Sequence, residues 1–374
     1  MLAPPHLASD HAHRAVLRAI DWRDMESSQA IARWDALAMR ASEPNPFLES
    51  WYLLASLRAL QPARVQLWCV ESDGALIGLL PVQAARSYYG RPIPHLAGWT
   101  HPNSFLGAPL VARGAEETFW QALLAHADKH AGLGLFLHLT DLPLSGALAD
   151  ALRIVLASRP HALVWREERA MLSSPLSPEA YLEASMSGKK RKELRRQHAR
   201  LSETGALAVE RHRDATDLAA WIEQFLTLEA AGWKGKAGSA LACRPDTAAL
   251  FREAMNGAAQ AGHLERIALT LDGRPIAMLA NLLTPPMGFS YKTAFDESLS
   301  RFSPGVLLQR ENLALLDDAA ISACDSCAAA DHPMIDHIWR ERRAVGRVSI
   351  AIGGALRRML FREIVKRERQ EEWK

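Results

Sequence analysis

Two Asp-Gly pairs, Asp73-Gly74 and Asp272-Gly273, each stand between two apolar, β-favouring runs: 65–70 and 75–82 around the first, 265–271 and 275–283 around the second. A tight hairpin turn requires positive φ, which glycine adopts without steric cost, so each pair predicts an antiparallel hairpin. Two helical segments precede each hairpin. Before the first these are 27–39, where Ile31, Trp34, Leu37 and Ala38 recur at helical spacing, and 47–60; before the second they are 217–231 and 246–261. The first hairpin is followed by a helix at 116–130, a buried-looking strand at 133–139, a helix at 145–158 and a strand through Leu163. After the second, the turn Pro285-Pro286-Met287-Gly288 leads into a strand at 289–295 and a helix at 306–319. The recurrence predicts an α/β (α+β) fold of two tandem modules, 1–170 and 171–374, each a mixed, largely antiparallel sheet flanked by helices.

A chain of 374 residues can bury two cores, and 49% hydrophobic with 23% charged residues is a globular composition. The 44 basic residues nearly cancel the 42 acidic ones, which removes any global attraction to nucleic acid or anionic membrane. Residues 1–18 lack the apolar core of a secretory signal, and no run approaches the roughly 20 apolar residues of a membrane span. The expected location is the cytoplasm, where Cys69, Cys243, Cys324 and Cys327 are reduced thiols.

The run Tyr291-Lys292-Thr293-Ala294-Phe295-Asp296, continued by Arg301-Phe302-Ser303-Pro304-Gly305-Val306-Leu307-Leu308, reads as a strand, a short polar loop and a helix start. The first amide N–H groups of a helix lack intrahelical acceptors and carry the positive end of its dipole, so a pyrophosphate can bind there. Gly305 has no side chain to hold such a ligand away, and Arg301 adds charge. Three other stretches stand in a fixed order around this run. Ser187-Gly188-Lys189-Lys190-Arg191-Lys192-Glu193-Leu194-Arg195-Arg196, with Leu201 and Gly205, precedes it, as does Leu228-Glu229-Ala230-Ala231-Gly232-Trp233-Lys234-Gly235; Asp325, Asp331, Pro333 and Trp339 follow. Together, over residues 185–340, they resemble the GNAT-type fold of CelD-like acetyltransferases associated with polysaccharide biosynthesis, and the related Fem-type peptidoglycan aminoacyltransferases. One departure stands out: the family pattern has Tyr-Lys after the proline, where this chain has Met334-Ile335.

The resemblance implies two GNAT-like modules, the C-terminal one catalytic. It also implies an acetyl or other acyl group passing from acyl-CoA to an amine or hydroxyl acceptor, a small molecule or saccharide, by direct attack and without a covalent intermediate or metal. Arg301, Ser303, Gly305 and Val306 would hold the donor; Trp233, Lys234 and Lys292 would contact substrate. Positioning supplies much of such a rate, and a base removes the nucleophile's proton. Glu229, Asp296 and Asp325 are the candidate bases, any of which would need partial desolvation to raise its pKa. Strand alternation places Tyr291 with Phe289 and Phe295, and Lys292 on the opposite face with Asp296.

Competing readings remain. The basic run from Lys189 to Arg200 suits phosphates of coenzyme A or of RNA, and would be the natural contact if the donor were aminoacyl-tRNA; without interleaved aromatics, other nucleic-acid binding has little support. Cys324, Cys327, His332 and His337 have the spacing of a compact zinc knuckle, without its usual glycine. Cys69 reads as a buried small side chain, and no Gly-x-Ser-x-Gly elbow or Walker loop occurs. Trp99, His101 and Asn103 lie in a Gly/Pro-rich loop that could line an acceptor pocket between the modules.

Overall fold

The computed structural model describes residues 15–366; residues 1–14, part of the segment read as lacking a signal, lie outside the described residues. Thirteen strands are present among them. They are β1 (Val16–Asp21), β2 (Val65–Ser72), β3 (Ala75–Ala85), β4 (His95–Gly98), β5 (Leu110–Val111), β6 (Phe136–Pro143), β7 (His161–Leu172), β8 (Leu207–His212), β9 (Leu264–Leu271), β10 (Arg274–Thr284), β11 (Met287–Phe295), β12 (Ala323–Asp325) and β13 (Glu341–Ala351). The helices are α1 (Ser28–Ala38), α2 (Ser50–Leu60), α3 (Glu116–His130), α4 (Ala147–Leu156), α5 (Pro178–Ser185), α6 (Gly188–Ser202), α7 (Leu218–Ala231), α8 (Trp233–Lys236), α9 (Pro245–Gln260), α10 (Pro304–Asn312) and α11 (Ala355–Val365). No helix among the described residues is long and apolar enough to cross a membrane.

Both Asp-Gly pairs form the turns their chemistry calls for. Asp73 and Gly74 have φ of 50° and 77°, Asp272 and Gly273 have 51° and 74°, and each pair joins antiparallel strands, β2 to β3 and β9 to β10. The fold is the expected mixed α/β arrangement, but the strands of both halves run into one sheet. Its order is β1-β2-β3-β4-β6-β13-β7-β12-β11-β10-β9-β8, with β5 beside β3. A parallel pair occurs twice, β4 with β6 and β11 with β12, and a helix, α3 or α10, lies between the two strands in each case. β13 comes from the far end of the chain, yet it inserts between β6 and β7, antiparallel to both.

The C-terminal strands are covered on both faces. On one side Leu264, Ala268, Met278 and Tyr291 join the core of α2, α7 and α9; on the other Ile267, Leu279, Leu307 and Leu308 pack with Leu194 and Leu201 of α6. This two-sided burial is why β9 and β10 read as near-continuous apolar runs rather than alternating ones.

Candidate active site

β11 and β12 pair in parallel over three residues only, Met287 to Phe289 against Ala323 to Asp325. Beyond Phe289 the partner of β11 on that side is lost, and every candidate residue of its run lies past this point. A bulge falls there too. Ser290 pairs with Asn281 and Lys292 with Ala280, which leaves Tyr291 as the extra residue. The bulge resets the alternation, so Tyr291 and Lys292 turn to the same side, and Phe295 leaves that side for the core of α6 and α10. The expected grouping of Tyr291 with Phe295, and of Lys292 apart from Tyr291, is therefore corrected.

On that shared side the two residues meet the loop before β5 and the start of α2. Tyr291 Oη lies 3.0 Å from Tyr52 Oη, and Tyr52 donates to the Asn103 carbonyl at 2.5 Å. Lys292 Nζ donates to Asn103 Oδ1 at 2.8 Å and sits 5.0 Å from the Phe105 ring centroid. Burial, reinforced by the Lys234 ammonium, brings the Lys292 pKa down to about 8, while part of the side chain stays accessible. His101 stacks on Tyr52 and bonds Ser56 at 3.1 Å; burial and the Lys292 charge hold its pKa down to about 4. Trp99 is buried beside His101. Of these groups, Tyr52 had no sequence signal beyond its place in an apolar helix.

The carboxylates are all engaged. Glu229 Oε1 accepts from Lys234 Nζ at 2.8 Å and Oε2 from the Leu241 N–H at 2.8 Å, fixing the loop after α7. Asp296 accepts from the Ser298 N–H at 3.0 Å and its hydroxyl at 2.6 Å, and pairs with Arg274 at 3.1 Å. Burial pushes its pKa up, but those bonds outweigh it and hold the carboxyl below its ordinary value. Asp325, fully buried on β12, takes Arg169 of β7 at 2.6 Å, Arg343 of β13 at 2.9 Å and the Cys327 N–H at 2.9 Å. Against the burial that would raise it, the two guanidiniums keep its pKa low.

Ser303 adopts positive φ, 54°, where the short 3-10 helix Glu297–Phe302 turns into α10, and its carbonyl accepts from Val306 and Leu307. Gly305 is needed for packing. A Cβ there would lie 2.7 Å from Met334 Sδ and 3.2 Å from Phe295 Cδ1, so on that side the glycine lets Met334 and Phe295 pack against the helix start. The space open beside this helix start is a cavity of about 190 Å³ between Val306, Met334 and His337 and the Lys190 and Gln197 side of α6. Gln197 donates to the Arg301 carbonyl at 3.4 Å, and the exposed Arg301 guanidinium lies over Phe302. Lys189, Lys190, Lys192, Arg195, Arg196 and Arg200 of α6 are exposed.

Trp233 is exposed, and its N–H donates to Glu297. It stands near a second cavity, about 690 Å³, bordered by Leu228, Gly232, Pro275, Phe295 and Asp296. Lys234 also reaches the Thr293 carbonyl at 3.4 Å. The zinc spacing does not become a site. Cys324 and Cys327 enter different cores, and among the described residues no three His, Cys, Asp or Glu side chains converge to hold a metal. Burial pushes the Cys69 thiol up to about 12, as befits an inert core residue.

Residues 188–332 match the acetyltransferase (GNAT) domain family. No curated protein matches the chain. Among solved structures, FemX superposes with a TM-score of 0.57 at 10% identity, over 90% of this chain and 98% of that one. A conserved protein of unknown function from Bacteroides thetaiotaomicron VPI-5482 gives 0.54 at 12% identity, over 86% and 97%. A domain described as the C-terminal domain of a lysylphosphatidylglycerol synthetase from Agrobacterium fabrum gives 0.52 at 13% identity, over 90% and 95%. At these identities the likeness is one of fold, and it extends over nearly the whole chain.

Proposed function

We propose that the chain is an acyltransferase that moves an acyl group from an acyl thioester to an amine or hydroxyl acceptor, with the reaction centred where β11 and β12 part. The observation that carries this reading is Lys292, a half-buried lysine with a pKa of about 8, held by Asn103 inside the segment that matches the acetyltransferase domain. A general base works best with a pKa near the working pH. Glu229, Asp296 and Asp325 are each committed to other donors, and positioning is the role that suits them. At pH 7 about one Lys292 in ten is neutral, enough to take the nucleophile's proton as it attacks the thioester carbonyl. That proton then passes to the departing thiolate, leaving Lys292 as it began.

The donor's phosphates belong between the start of α10 and α6, where Lys190 borders the gap beside Glu193 and the other cations of α6 stand exposed on the same helix. The corresponding helix of the N-terminal half, α3, carries Glu116 and Glu117 in its first turn, which disfavours an anion, whereas α10 has no acid there; this supports a donor site in the C-terminal half. Coenzyme A is the donor carrier expected of a GNAT domain, and the CelD-like motifs suggest a saccharide or cell-envelope acceptor. A second reading has one observation in its favour: the exposed cations of α6 suit aminoacyl-tRNA as well.

Titrating acetyl-CoA, longer acyl-CoAs and charged tRNA in thermal melts separates the two. A ligand specific to the folded state raises the melting temperature. A shift with an acyl-CoA and none with tRNA is the expected result; the reverse moves the reading to the tRNA donor, and no shift with either defeats both.

A further inference from the structure

A cleft of about 790 Å³ lies at the seam of the two halves, far along β11 from the bulge. It runs between α1 and α2 on one side and α9 with the β10–β11 turn on the other. Glu49 borders it and is 3% exposed. Its Oε2 accepts from Trp51 Nε1 at 2.7 Å and His263 Nδ1 at 2.9 Å, while Oε1 is buried without a partner. Glu49 occupies the N-cap position of α2 but makes no capping bond, so helix termination does not explain where its carboxylate points. Thr284 also borders the cleft, and its hydroxyl is likewise buried and unpartnered. A native fold seldom leaves two such oxygens beside one cavity unless something meets them.

The charges around the cleft favour a cation. Glu49 and Asp35 are acidic, with Asp35 accepting from Ser50 Oγ at 2.5 Å. His263 opposes one of them, and Arg58 at the rim is matched by both Glu26 at 2.6 Å and Glu253 at 2.5 Å. Apart from Gln260 the remaining wall is apolar, with Trp51 and Leu54 inside and Met39 82% exposed at the mouth.

We infer that this cleft is a ligand site for a compound carrying an ammonium group on a compact apolar body, the ammonium donating to Glu49 Oε1 and Thr284 Oγ1 while the body lies on Trp51 and Leu54. The inference does not depend on the acyl-transfer reading. α2 connects the two places, since Trp51 faces the cleft and the next residue, Tyr52, bonds Tyr291.

The test is calorimetric titration of the full chain with 2-phenylethylamine, and with 2-phenylethanol and phenylacetate as neutral and anionic counterparts of the same shape. The amine should bind, the alcohol about tenfold or more weakly, and the carboxylate not at all. Thr284→Val removes an oxygen with no protein partner, so it should melt at or above the wild-type temperature while weakening the amine severalfold. Ala38→Trp, placed at the half-buried lining of the mouth, should abolish binding by filling the cleft. No binding of the amine at about 10 mM, equal binding of amine and alcohol, or full affinity in both folded variants would each overturn the inference.

Discussion

Lys292 carries a charge where burial disfavours it, and the consequences can be counted. Its pKa falls from 10.5 to about 8, which corresponds to a cost on the order of 3 kcal/mol at neutral pH, reduced in practice because the side chain keeps some contact with water. The sign follows from linkage. A depressed folded-state pKa gives stability that is present above about 10.5 and lost as pH falls through about 8. Lys292→Met deletes that cost but strands Asn103 Oδ1, a loss of about 1–3 kcal/mol. The variant should thus melt near or above the wild type at pH 7 and lose that standing at pH 10.5, as thermal melts at the two pH values will show. Its acyl transfer should drop by about 10²–10⁴. In the wild type, the rate at saturating donor should climb with pH through about 8 and then level off; a rate that instead falls above pH 8 would mean that Lys292 acts as a cation. Lys292 was legible as a candidate, because it stands in a run whose neighbours have a recognisable order. Its pairing with Asn103 was not, since 189 positions separate the two.

Elements explain why the sequence led to the carboxylates first. Period-two alternation is a guide along β11 until a bulge intervenes, and nothing in Tyr291-Lys292-Thr293 announces one. The hairpins were legible for the opposite reason: Asp-Gly fixes a local backbone conformation that distant contacts do not alter. Asp325 shows a third case, an acid whose motif is visible but whose work lies between strands. It sits on β12 and holds Arg169 of β7 and Arg343 of β13, and Arg343 also takes Glu43 at 2.5 Å. Asp325→Asn leaves two buried guanidiniums short of charge and should cost about 3–5 kcal/mol in urea denaturation. Catalytic loss with unchanged stability would return Asp325 to the role of base.

Across the whole molecule, sequence order and spatial order part company at the C-terminal strand. A boundary near residue 170 follows the helix, helix, hairpin recurrence, which is local; strand order in a sheet is a matter of long-range pairing that no window of sequence contains. β13 joins β6 along Phe136 to Pro143 and β7 along His161 to Met171, so a fragment of residues 171–374 would carry a strand stripped of both neighbours. Its apolar residues, Val345, Val348 and Ile350, would lose the core they enter, and Arg343 would lose Glu43. The N-terminal piece would in turn expose facing edges of β6 and β7, a ready template for association. The full chain should therefore unfold in one cooperative transition, seen as coincident circular dichroism and tryptophan fluorescence curves in urea. The isolated 171–374 fragment should show no cooperative melt, with or without acyl-CoA. If it melts cooperatively and acyl-CoA raises its midpoint, the C-terminal half is a self-sufficient catalytic module, and β13 serves the N-terminal half without being needed for the chemistry.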